Sequence, residues 1–264
     1  MKMVSAARLN RIQQDLKSIR PYAEQTRSML SHILPDVIPQ SQPLLEKRDV
    51  KTIGLVVFSG DRGLCGAFNS NVFRKALVTV KENSARDVKL LTIGKKARSF
   101  FRKRNYDIVQ AYTDIYDDLS FTLVSTICEK ITSLFTDRVV DEVYFVYNEF
   151  VTKIQQRLVS VKALPLDVDL FEKDDEKRVV YTYEPSLDAI CSTLLTKALT
   201  VQLYRAMIET YSAELGARMA AMDSATKNAT DLIRDLTKFY NRARQASITQ
   251  EVSEVVGGAE ALKA

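Results

Sequence analysis

Apolar residues recur along the C-terminal third of the chain at alternating steps of three and four. The series runs from Leu187 through Ile190, Leu194, Val201 and Tyr204 to Leu236, Phe239, Ala246 and Gln250. Of its nineteen positions only Lys197, Arg218 and Gln250 break the pattern. A period of 3.5 held this long predicts a left-handed coiled coil. Residues 186–256 contain no proline and a single glycine, Gly216. They would form a helix of roughly 105 Å at ~1.5 Å per residue. Pro185 and Ser186 suit its start, and Gly257-Gly258 is expected to stop it. Leu9, Ile12, Leu16, Ile19, Ala23, Thr26, Leu30 and Ile33 repeat the rhythm near the N-terminus. They predict a helix over 1–34, kinked near Arg20 by Pro21 and ended by Pro35 and Pro39.

Between these ends the period changes. Apolar runs at 52–58, 88–93, 106–111 and 142–147 read as strands. Segments 69–81, 95–104 and 121–135 read as helices, 154–163 as a hairpin partner of 142–147, and 179–183 as a last strand. The βαβαβ order predicts a parallel, Rossmann-like sheet. The expected fold is therefore α/β plus coiled coil: a Rossmann-like domain (51–184) inserted between two long terminal helices (1–34 and 186–264). Those helices would pair as an antiparallel left-handed coiled coil. Their lengths do not match, because 1–34 spans only about 50 Å. Much of the long seam then lacks a partner in this chain, and an uncovered seam of Ala, Met, Leu and Phe must meet another protein or else aggregate.

Composition narrows the chemistry. The 264 residues, 46% apolar and 27% charged, fit a soluble globular protein rather than a disordered one. No apolar run reaches membrane-span length. The net charge of +5 suggests acidic contacts without requiring nucleic acid. Cys65, Cys128 and Cys191 stand far apart, and His32 is the only histidine, so a zinc site is not expected.

One loop has the look of a site. SGDRGLCGAFN (59–69) follows a strand and opens a helix, where α/β folds hold phosphates. Its glycines, Gly60, Gly63 and Gly66, are spaced G-x-x-G-x-x-G, which is neither a dinucleotide fingerprint nor a Walker loop. Asp61 would repel phosphate. A structural turn of Gly60, Asp61, Arg62, Gly63 and Gly66, with the glycines at positive φ, is the preferred reading. Cys65 near a helix start could have a lowered pKa, but no histidine stands by as a base. Lys95, Lys96, Arg98, Arg102, Lys103 and Arg104 form a basic cluster. It is either a solvated helix face or a contact for an acidic partner or lipid headgroups. Arg218, on the apolar seam, either snorkels to water or meets acidic groups of an outside partner.

Four stretches carry a family resemblance: MKMVSAARL (1–9), SGDRGLCGAFNSNV (59–72), ARMAAMDSATKNA (217–229) and YNRARQASITQEVSEVVGGAEAL (240–262). With the order of elements they cover essentially the whole chain. The sequence resembles the gamma subunits of rotary ATP synthases. The resemblance implies a central shaft that turns inside a ring of alternating alpha and beta subunits. Its α/β foot would bind the epsilon subunit and rest on the membrane ring of c subunits. Such a shaft couples proton flow to ATP synthesis on beta and regulates ATPase activity and proton flow. It has no active site, cofactor or metal of its own, no nucleic-acid partner and no transmembrane segment. It would lie at the inner face of a bacterial plasma membrane, on the cytoplasmic side. Arg242, Arg244, Gln245, Thr249, Gln250 and Glu254 lie on the unpaired part of the long helix, ordinary polar positions in isolation and hydrogen-bonding handles if a sleeve surrounds it. Carried over by position, Met1, Arg218, Arg244, Gln245, Thr249 and Glu254 fall where the shaft contacts the ring or couples rotation to catalysis. The family usually begins several helical turns before the first motif, which leaves three readings open: a misassigned start, a fragment, or a natively short N-terminal helix.

Two other readings compete at this point. One is a nucleotide-binding module using the 59–69 turn, with the coiled coil as an oligomerisation arm. The other is a coiled-coil scaffold that does not rotate.

Overall fold

The computed structural model describes residues 1–38, 41–152, 155–168 and 183–262, without the side chains of 15–18 and 20. Ten principal elements follow in order: α1 (Lys2–Ile33), β1 (Thr52–Phe58), α2 (Phe68–Glu82), β2 (Asp87–Ile93), α3 (Lys95–Arg102), β3 (Ile108–Tyr112), α4 (Phe121–Thr136), β4 (Glu142–Phe150), β5 (Gln156–Leu164) and α5 (Leu187–Ala261). The expected strand at 179–183 falls almost wholly outside the described residues, as does the start of the one expected at 154.

The sheet has the order β3-β2-β1-β4-β5. β1 pairs in parallel with β2 and β4, and β2 with β3. β5 returns antiparallel to β4. Alternation along β1 shows why both faces are covered. Leu55 and Val57 point into one apolar cluster with Val72, Phe73 and Ala76 of α2 and Ala97 and Phe101 of α3. Val56 and Phe58 point into a larger cluster with α4, α5 and Leu9, Leu30 and Ile33 of α1. A strand buried on both faces reads as an unbroken apolar run, and TIGLVVF is one.

By its internal contacts the chain forms two compact units, 1–220 and 221–264. Within the first, α1 runs antiparallel to the early part of α5. Arg8 bonds to Tyr211, while Ser41 and Gln42, just past α1, bond to Asp188. Pro21 lies inside α1, and the helix continues through it.

Two features differ from the sequence reading. A 3.5-residue stripe predicts one buried face, yet every residue from Ala206 to Gly216 is buried. The α/β domain surrounds α5 here, and Glu209, Thr210 and Glu214 remain inside by bonding along the helix, to Arg205, the Ala206 carbonyl and Arg218. Gly257-Gly258 does not stop α5, which runs on to Ala261. Neither glycine takes the left-handed conformation that closes a helix.

The second unit is a single helical stretch whose apolar residues lie on the surface. Leu232, Ile233, Leu236, Phe239, Tyr240, Ile248, Val252, Val255 and Val256 are all exposed.

Candidate functional site

The turn at 59–69 is bound on three sides, and the first is α3. The Ser59 hydroxyl accepts from the Ala97 amide at 2.8 Å, and an Asp61 carboxylate oxygen accepts from the Lys95 amide at 2.8 Å. The Lys96 amide donates to the Gly60 carbonyl at 3.2 Å. A helix N-terminus offers such amides to an anion. Here two of the turn's side chains and the Gly60 carbonyl occupy them.

The second side is the start of α2. The Asn69 carboxamide accepts from the Gly60 amide at 3.0 Å and donates to Cys65 Sγ at 3.2 Å. The backbone uses positive φ at Leu64 (61°) and at Gly66 (57°). Of the three glycines, then, only Gly66 serves for its backbone angle. Gly60 serves for its lack of a side chain: a Cβ there would lie 2.5 Å from Cδ and Oε1 of Glu214.

The third side is α5. Glu214 is ion-paired with Arg218 one helical turn on, with side-chain exposures of 3% and 11%. Arg218 also reaches the Gly63 carbonyl through Nε and Nη2, each at 3.4 Å. Cys65, Phe68 and Ala213 close an apolar contact beneath. Gln156 of β5 donates to the Ala213 carbonyl at 2.8 Å. Arg218 is therefore paired within this chain. Its acid is Glu214, and its second partner is the turn.

The mouth of this junction is polar. Asp117 receives Arg8 at 2.5 Å and Arg62 at 3.0 Å, drawing α1 and the turn to one carboxylate. Arg8 also donates to the Tyr211 hydroxyl at 3.2 Å, and that ring stacks on Tyr116 at 5.1 Å. A cleft of about 290 Å³ remains, lined by Met1, Val4, Arg8, Leu64, Tyr211 and Arg218 among others.

The electrostatics favour a buttress over a reactive centre. Burial raises the Cys65 thiol, with Glu214 adding to it and Arg218 opposing. A lowered pKa at the start of α2 is thus overturned: desolvation outweighs the helix end, and the thiol is only 3% exposed. Burial also raises Glu214, against the pull of Arg218. No group of three or more potential metal-ligating side chains occurs among the described residues.

Of the positions singled out by sequence, the structure brings Met1, Gly60, Asp61, Arg62, Gly63, Gly66 and Arg218 to this junction. Arg242, Arg244, Gln245, Thr249, Gln250 and Glu254 belong to the second unit and are exposed. There Gln250 donates to Glu254 at 2.9 Å, and Thr249 to the Gln245 carbonyl at 2.8 Å. Sequence reasoning missed Glu214, Asp117 and Tyr211. Glu214 carried a signal, since it stands four residues before a seam arginine. Asp117 carried none, because its partners are 55 and 109 positions away.

A family model described as ATP synthase matches residues 1–262. The ATP synthase gamma chain of Desulforamulus reducens is 42% identical over 263 residues, covering 100% of this chain and 92% of that one. That of Pelotomaculum thermopropionicum is 41% identical with the same coverage. Among solved structures, the central stalk/c-ring of Tetrahymena thermophila mitochondrial ATP synthase includes a chain of the same fold, at TM-score 0.66 and 22% identity. The match covers 86% of this chain and 97% of that one.

Proposed function

The chain belongs to the ATP synthase gamma-chain family, and from that premise we propose how it works as the central rotor shaft. In this reading the shaft comprises 1–34 and 186–264 and the foot 51–184. The foot sits with epsilon on the membrane ring of c subunits, while alternating alpha and beta subunits surround the shaft.

The observation that carries the reading is the surface of the second unit. Phe239 is 70% exposed and Val255 72% exposed, among many exposed apolar neighbours on the same helix. Such a surface is unfavourable in water and fits a helix made to be sleeved. A ring of alpha and beta subunits supplies that sleeve. Arg242, Arg244, Gln245, Thr249, Gln250 and Glu254 are its polar contacts. On a turning helix each meets a partner group at some angles and not at others, so the three beta sites experience different contacts and hold different nucleotide affinities. ATP chemistry takes place on beta.

Torque must pass from foot to helix, and the first unit is built for that. The collar around Ala206–Gly216 grips α5 on all sides. Gln156 to Ala213, Arg218 to Gly63 and Arg8 to Tyr211 pin it against sliding or twisting. Arg218 thereby acts through the turn, and Met1, 74% exposed, remains available to the ring.

No described helix is long and apolar enough to cross a membrane. Attachment to the inner face of a bacterial plasma membrane would come through the c ring, with protons as the coupling ion. Co-expression with the cognate alpha and beta subunits, followed by native mass spectrometry, tests the assembly. One copy of this chain with three alpha and three beta is expected. Recovery of the chain apart from an alpha–beta ring would overturn the proposal.

A further inference from the structure

The sheet leaves an edge beside the basic cluster. β3 bonds to β2 and, among the described residues, to no strand on its other side. Its five residues, IVQAY, are half-buried and carry neither a charge nor a proline. Every second residue of an edge strand presents N–H and C=O outward, a template for another strand. Inward charges and prolines are the usual protection against this, and β3 has neither.

Next to β3 lies an open groove of about 740 Å³. Residues 108–111 form one part of its lining, Arg98 and Arg102 another, and Asp107 is its one acid. Lys103 and Arg104 follow, exposed. Lys95, at the far end of α3, is neutralised by Asp114 at 2.7 Å. Arg104 folds over the Phe100 ring at 3.8 Å, which leaves Arg98 and Arg102 as the cations facing the groove, against the single acid Asp107. The opposite edge differs. On β5, Arg157 pairs with Glu149 and Lys162 with Glu142, so its cations are already matched by β4.

We propose that the β3 edge receives an acidic, extended segment of a partner protein as an additional strand. The segment's backbone pairs with the outward groups of β3, and its carboxylates meet Arg98 and Arg102. Backbone pairing supplies affinity and the arginines supply sign selectivity. The site lies on the foot's sheet edge and stands independently of the rotor reading.

The test uses the full chain and a blocked, fluorescent, alternating Glu-Val octapeptide. Anisotropy reads binding, and hydrogen–deuterium exchange reads the amides of 108–112. Salt-sensitive binding with new protection at those amides is expected. Arg98→Glu with Arg102→Glu, both exposed positions, should weaken it roughly tenfold, as the loss of two screened contacts implies. The same peptide N-methylated at alternate residues keeps its charge but cannot pair, and should not bind. Equal binding by the N-methylated peptide or by a Lys-Val peptide would overturn the proposal. So would the absence of binding. Protection by phosphatidylglycerol vesicles alone would also overturn it and assign the arginines to lipid headgroups.

Discussion

Adding one methyl group at Gly60 tests whether the turn is locked to α5 by close approach. In Gly60→Ala the new Cβ would stand 2.5 Å from the Glu214 carboxyl carbon, whereas ordinary contact begins at 3.4 Å. The carboxylate must retreat by the difference, about 0.9 Å. An exposed glutamate would swing away freely. Glu214 is 3% exposed and held by Arg218, itself 11% exposed, so retreat breaks the pair inside the protein. Removing one partner of a buried pair costs ~3–5 kcal/mol. Displacement leaves some attraction, so about 2–4 kcal/mol is expected here. At ~2–4 °C per kcal/mol for a unit of this size, the midpoint should fall by roughly 4–16 °C. The assay is urea and thermal unfolding, repeated in a Glu214→Ala, Arg218→Met background. That background removes both charges and the obstructing atoms, so Gly60→Ala should then cost less than ~1 kcal/mol. An equal cost in both backgrounds would refute the reasoning, because the methyl group would then be acting through something other than the pair.

Three further outcomes are expected. Asp141 is raised by partial burial but lowered more by the Thr52 and Lys51 amides and by Arg48, so its folded pKa lies below its unfolded one. Its stabilisation is therefore present above the ordinary carboxylate range and lost as pH falls through the folded value; urea melts of Asp141→Asn and the parent should differ at pH 7 and converge in acid. Cys65, Cys128 and Cys191 are buried with raised pKa values, Cys191 up to about 11 from burial and then Asp188. Ellman's reagent at pH 8 should find all three slow until the fold opens, and a rapidly titrating thiol would contradict that. Leu236→Asp with Phe239→Ser alters exposed positions, so circular dichroism should show the isolated chain's melting changed by no more than ~0.5 kcal/mol per site. Native mass spectrometry should nevertheless show loss of assembly with alpha and beta.

The centre of the sheet was legible because β1 is buried on both faces. IGLVVF has no polar interruption, α3 and α4 begin at Gly94 and Ser120, and the helices between strands carry clear apolar faces. The long C-terminal helix was legible because nothing in it breaks a helix. What periodicity could not show was the collar at Ala206–Gly216, where a surrounding domain buries a polar face that local spacing assigns to solvent. The turn's glycines suggested positive φ throughout, whereas Gly60 answers to Glu214, 154 positions away. A close approach of that kind leaves no local trace. The exposed polar residues near the C-terminus stood out by their place on the unpartnered part of the seam, and family resemblance gave them a role, since on an isolated helix Arg244 and Gln245 look like any solvated pair.

The central claim is that this chain turns inside a ring. Lys103, exposed just beyond α3, can be replaced by cysteine and biotinylated for a bead, because the native thiols are buried. The alpha–beta ring is fixed to glass, ATP is added, and the bead is followed by video microscopy. Unidirectional rotation pausing at thirds of a turn, one pause for each beta site, is the expected result. A bead that stays still while the same complexes hydrolyse ATP would contradict the account and leave the chain a static scaffold.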